Sequence, residues 1–196
     1  MKPRITAGWL LALSVLLAAC AVGPAAKEQY FTLSAPTPGV TPPASESPSI
    51  YVGPVTVPEA VDRPSMVLRT SPNQVDVSDD YRWAEPLRSA IPRVIGDTLA
   101  RELGTARVLT SRAASATPVD ISVAIEVQRF DSSLTDGSTI DAVWSVKNVA
   151  SGKSRNGRSV VHEAAASGDP AGIAAAASRA LERIGREIAQ AVREAR

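Results

Sequence analysis

The chain has 196 residues, with 21 Lys and Arg against 20 Asp and Glu, eight aromatic residues and one cysteine, Cys20. Near-neutrality with interspersed charges argues against nucleic-acid binding and against a broad electrostatic grip on anionic lipid. A lone cysteine excludes an intrachain disulfide, so the core must hold by packing, and the abundance of Ala, Val, Ile and Leu makes that core aliphatic.

The first element is a leader. Lys2 and Arg4 precede an uncharged run from Ile5 to Ala19 whose apolar centre is Trp9 to Leu17. A positive start, a short apolar run and small residues at its end form the anatomy of a secretory signal peptide. A run of about a dozen apolar residues is too short to cross a ~30 Å hydrocarbon core comfortably. A lone cysteine at this boundary needs its own explanation. Leu17-Ala18-Ala19-Cys20 resembles a bacterial lipobox, which implies cleavage before Cys20 and lipid attachment there. The expected organisation is a signal peptide over 1–19, a lipidated cysteine and tether over 20–29, and one domain over 30–196. Removal of the leader leaves 177 residues with 19 basic and 20 acidic side chains, enough for a single sizeable core.

Within the domain, Tyr30-Phe31-Thr32-Leu33 is strand-like, and the proline-rich stretch from Ala35 to Pro48 reads as an extended loop. Ser49 to Pro58 returns to strand character. Its alternation slips at Gly53-Pro54, which predicts a bulge or an edge position because Pro54 donates no hydrogen bond. Asp62-Arg63-Pro64 predicts a turn, Met66 to Arg69 a short strand, and Gln74 to Val77 a return strand after the Ser71-Pro72-Asn73 turn. Ser78-Asp79-Asp80 is expected to lead into Trp83 and a helix.

That helix carries Leu87, Ile91, Ile95, Leu99 and Leu103 at four-residue intervals, with Val94 broadening the stripe. Pro86 suits the first turn and Gly104 the C-terminal cap, while Pro92 leaves two options, a bend or a regular helix beginning near Ile91. Val108 to Thr110 reads as a short strand and Ser111 to Thr117 as a connector. Val119, Ile121, Val123, Ile125 and Val127 then alternate with polar or small residues, the pattern of a strand buried on one face. Ile140, Ala142, Trp144 and Val146 make the next inward face; turns at Ser151-Gly152 and Asn156-Gly157 precede a third strand around Ser159 to Glu163, completing an antiparallel meander. Asp169-Pro170 supplies an N-cap and a first-turn proline. Ile173, Ala177, Leu181, Ile184, Ile188 and Val192 then form the stripe of a long amphipathic helix that packs on the sheet. The expected fold is α/β (α+β): a single domain, a mixed β-sheet with an antiparallel meander, and two principal helices packed on one face.

Catalytic and metal motifs fail when tested. Gly152-Lys153-Ser154 resembles the tail of a phosphate-binding loop, but Lys147 stands where its first glycine is needed. His162 is the only histidine and alternates with Val161 and Glu163 in a strand, so it is expected on or near the surface without a catalytic or zinc role. Asp76, Asp79 and Asp80 lack the spacing and central glycine of a calcium loop and are assigned turn and cap roles. No enzyme activity, cofactor or metal is expected.

Several stretches together resemble a known family. They are Ile50-Tyr51-Val52-Gly53-Pro54-Val55-Thr56-Val57-Pro58, then Val61-Asp62-Arg63-Pro64 with Met66-Val67 and Arg69, then Arg82-Trp83-Ala84-Glu85-Pro86-Leu87. With Tyr30-Phe31-Thr32-Leu33 behind the lipobox and Ala142 and Trp144 in the meander, the chain resembles the ABC-type transport auxiliary lipoproteins of the PqiC type, subunits of membrane-integrity-associated transporters. The resemblance implies a periplasm-facing outer-membrane lipoprotein that docks an MCE-type (mammalian cell entry) phospholipid transport assembly. Its partners would be an MCE-domain protein and an inner-membrane ABC permease and ATPase. Ala21, after the lipidated cysteine, is not the aspartate associated with inner-membrane retention. Direct lipid binding and the number of copies, a homo-oligomer included, stay open. Arg63, Arg69 and Trp83 are the candidate partner contacts, each with a structural alternative: a local Asp62–Arg63 ion pair for the turn, and a core anchor for Trp83. The competing function is a structural or assembly lipoprotein of the envelope without lipid traffic.

Overall fold

The computed structural model describes residues 27–35, 47–111 and 118–196. The leader, Cys20, most of the tether, most of the proline-rich loop and most of the 111–117 connector lie outside the described residues. The elements run β1 (Gln29–Phe31), β2 (Ile50–Thr56), β3 (Ser65–Ser71), β4 (Gln74–Trp83), α1 (Leu87–Leu103), β5 (Val108–Leu109), β6 (Ile121–Ser133), β7 (Gly137–Asn148), β8 (Ser154–Glu163) and α2 (Pro170–Ala195).

The main layer is a mixed sheet of five strands in the order β5-β2-β6-β7-β8. β5, β2 and β6 are parallel, and β6 to β8 form the antiparallel meander. Its inward side is set by the alternation of β6: Ile121, Val123, Ile125 and Val127 are buried, while Glu126 and Gln128 are exposed. α1 and α2 cover that side. The α2 stripe from Ile173 to Val192 is no more than 1% exposed at any of its six positions. Asp169 caps α2 by accepting the Gly172 amide at 2.7 Å, and Gly104 ends α1 in the left-handed conformation at φ 61°. The two helices meet closely: a Cβ at Gly185 would stand 2.8 Å from Thr98 Cγ2. The sheet-and-helix architecture thus follows the sequence reading.

The β3–β4 hairpin, by contrast, does not join this sheet. With β1 it makes a second, three-stranded sheet in the order β1-β4-β3. β4 also runs on to Trp83 where a direct passage from Ser78-Asp79-Asp80 into the helix was expected. The Ser78 hydroxyl accepts the amides of Asp80 and Tyr81 at 3.2 and 2.9 Å, so the chain bulges and resumes as strand. Its resumed segment, Tyr81 to Trp83, pairs with β1 in parallel. Asp76, Asp79 and Asp80 are therefore strand residues and cap no helix; α1 begins after Pro86 without a side-chain cap.

Pro92 lies inside α1, which starts at Leu87 and continues through it. One intrahelical hydrogen bond is forgone, and the ring is buried. Asn156-Gly157 is no turn. Gly157 sits mid-β8, where any Cβ would come within 2.2 Å of the Trp144 ring, so glycine here is a packing requirement. The slip at Gly53-Pro54 is a register shift between Val52 and Val55. β5 covers only Ile50 and Tyr51 of β2, so Pro54 is free of ladder demands on that side.

Candidate functional site

The loop from Pro58 to Pro64 turns β2 back toward β3 and separates two clefts. Pro58 O accepts the amides of Val61 and Asp62 at 3.0 and 3.1 Å, and Val61 O accepts Arg63 N–H at 2.9 Å, which fixes the loop's backbone. On one side Asp62, Arg63 and Pro64 face Trp83, Ala84, Glu85, Pro86 and Arg88 across a cleft of about 360 Å³. The cleft is thus built from the Asp62-Arg63-Pro64 turn and the start of α1, two stretches that are twenty residues apart in sequence. Trp83 N–H donates to Pro64 O at 2.7 Å and locks the two walls together. The Ala84 amide donates to Phe31 O at 2.8 Å, so β1 braces the same corner.

Trp83 is only 6% exposed and stacks edge-on against Phe130, with ring centroids 6.1 Å apart. The core-anchor role therefore holds, and Trp83 is also among the residues that line the cleft. Charge is arranged around it in pairs. Asp62 binds Arg88 at 2.9 Å and not Arg63, which corrects the local ion pair expected for the turn. Glu85 binds Arg93, whose guanidinium also donates to Leu33 O at 2.7 Å and ties α1 to the segment behind β1. Arg63 is exposed and makes no ion pair or side-chain hydrogen bond with another described residue. With Asp62 and Glu85 neutralised, one positive charge is left over at the mouth.

Arg69 lies elsewhere. It sits on β3 in a second cleft of about 200 Å³ whose apolar lining includes Pro58, Val61, Val67, Val75 and Phe130. Its guanidinium donates to Asp131 at 2.7 Å and to Pro72 O at 3.0 Å, and the Asp131 hydrogen bond and charge raise the Arg69 pKa further. That pair staples the hairpin to β6, which is a structural job. The fold thus brings Arg63 and Trp83 together and leaves Arg69 apart. Arg88 and Arg93 complete the site but carry no signal in the sequence, since arginines on an exposed helix face are commonplace.

His162 is exposed on β8, with Nδ1 3.0 Å from Thr139 Oγ1 and Nε2 3.8 Å from Asp136. Among the described residues, no group of three or more His, Cys, Asp or Glu side chains is placed to hold a metal ion, and no helix is long and apolar enough to cross a membrane.

Two helices on a mixed sheet with a side hairpin make this an α+β domain. The family model described as the ABC-type transport auxiliary lipoprotein component matches residues 31–189, and the chain belongs to that family. A crystal structure described only as an uncharacterized protein is similar with a TM-score of 0.71 at 16% identity, covering 85% of this chain and 99% of that one. Protein XCC0632 from Xanthomonas campestris is similar with a TM-score of 0.66 at 20% identity, covering 84% and 95%. At such identities the likeness establishes the fold alone. No curated protein matches the chain.

Proposed function

We propose that this transport auxiliary lipoprotein is anchored through lipid on Cys20 to the outer membrane, faces the periplasm, and docks an MCE-type assembly served by an inner-membrane ABC permease and ATPase. Its role is binding and positioning, without catalysis. The observation that carries the proposal is the cleft between Arg63-Pro64 and Trp83-Pro86, where two of the stretches that resemble the family meet on a braced surface that includes Trp83 and one arginine, Arg63, unpaired among the described residues. Interfaces draw most of their energy from buried aromatic and arginine anchors of this kind.

Reach supports the same placement. From Ala21 to Gln29 the chain extends at most ~3.3–3.6 Å per residue, about 30 Å in all. A domain held that close to one membrane needs a partner that spans the periplasm to it. The test is complementation of a deletion strain at matched protein levels. Cys20→Ser is expected to weaken envelope function, and Ala21→Asp, which should retain the lipoprotein at the inner membrane, is expected to impair it as well. Full function from the Ala21→Asp protein, with fractionation placing it at the inner membrane, would refute the outer-membrane docking model.

A further inference from the structure

We infer that the Arg63–Trp83 cleft takes an acidic side chain carried on a short apolar segment of a protein partner. The inference rests on the docking reading above and adds the chemistry of what docks. Among the described residues, clefts of about 200, 280 and 360 Å³ mark the surface, and of these the last reaches the ~300–1,000 Å³ of ordinary ligand pockets. The acid preference comes from the pairing of charges. Arg88 satisfies Asp62 and Arg93 satisfies Glu85, while Arg63 stands beside them with no such partner among the described residues. A single carboxylate supplies the partner that Arg63 lacks, and a guanidinium can grip it with two parallel hydrogen bonds.

The apolar neighbour follows from the lining, whose uncharged residues are Pro64, Ala84, Pro86 and Trp83. Proline walls and the Trp83–Pro64 backbone bond hold this shape before any partner arrives, which lowers the ordering cost of binding. A phospholipid fits less well. Its two acyl chains would have to leave past Asp62, Glu85 and Arg88, the charged part of the lining.

The experiment is an NMR titration of the whole mature chain from Cys20 on, ¹⁵N-labelled in detergent micelles, with the indole signals of Trp83 and Trp144 distinguished by Trp144→Phe. The probes are the blocked tripeptide acetyl-Leu-Asp-Leu-amide, its Asn and Lys counterparts, and the short-chain lipid dihexanoyl-phosphatidylglycerol. The Asp peptide is expected to shift the Trp83 indole and the Ala84 amide while Trp144 stays in place. Arg63→Glu should weaken that binding about tenfold or more, a loss of ~1.4 kcal/mol, and Arg63→Lys should retain most of it. Equal shifts from the Asn or Lys peptide would overturn the inference. So would a Trp83 shift produced by the lipid but not the Asp peptide, or no shift up to the solubility limit of the Asp peptide. Co-purification with the MCE protein tests the docking reading separately. Silent peptides with intact co-purification remove the inference alone; responsive peptides without co-purification remove the MCE assignment alone.

Discussion

Asp141, on β7, is 8% exposed and accepts two hydrogen bonds from Arg158, at 2.9 and 2.7 Å. Those bonds hold its carboxyl below the usual aspartate range against the opposing pull of burial. An aspartate whose folded pKa is depressed contributes stability above its unfolded value of ~3.9 and loses it as the pH falls through the folded value. Urea melts from pH 6 down to about pH 2.5 should therefore show Asp141→Asn losing less stability than the wild type. Arg158 is largely exposed, so the pair is worth roughly 1 kcal/mol or less at neutral pH. Asp97 has the opposite sign: burial raises its pKa, so Asp97→Asn should be neutral or stabilising at pH 7 in the same melts. At the cleft, Arg63→Glu should leave stability within about 0.5 kcal/mol of wild type, as an exposed substitution does, so that any loss of binding is a loss of contact.

At the scale of elements, buried stripes carry the fold. Leu99 is fully buried in the α1 stripe, and Leu99→Ala should cost roughly 2–5 kcal/mol in urea melts. A cost well under 1 kcal/mol would mean this face is not core. β8 shows a different constraint. Gly157→Ala would push a methyl group into the Trp144 ring, whose indole N–H donates to Ser159 Oγ at 2.9 Å, and overpacking of that kind costs about 1–3 kcal/mol. The change should also shift Trp144 fluorescence. Both helices and the meander were legible in the sequence because each has a strict apolar period. Asn156-Gly157 misled because its dipeptide has turn chemistry, while the reason for glycine is a ring on the neighbouring strand. β4 misled because Ser78-Asp79-Asp80 has cap chemistry, which the Ser78 hydroxyl spends on a strand bulge. The ring against Gly157 and the strand β1 that pairs with Tyr81 to Trp83 both come from elsewhere in the chain, so no window of sequence displays them.

For the whole molecule, the hairpin sheet is a side structure that builds a surface. β1 braces the corner where Trp83 meets Pro64, the Arg69–Asp131 pair fixes the hairpin to β6, and the 58–64 loop closes the cleft. Arg63 and Trp83 were identifiable as candidates from the stretches that contain them. That they share a cleft while Arg69 does not depends on a loop and a bulge whose geometry no motif specifies. The measurement bearing most directly on docking is co-purification of the full-length lipoprotein with a co-expressed MCE-domain protein, from detergent-solubilised envelopes, comparing wild type with Arg63→Glu at equal abundance and equal melting midpoint. The account predicts that the MCE protein is retained by the wild type and reduced about tenfold or more by Arg63→Glu. Equal retention by both proteins, or none by either, would contradict it.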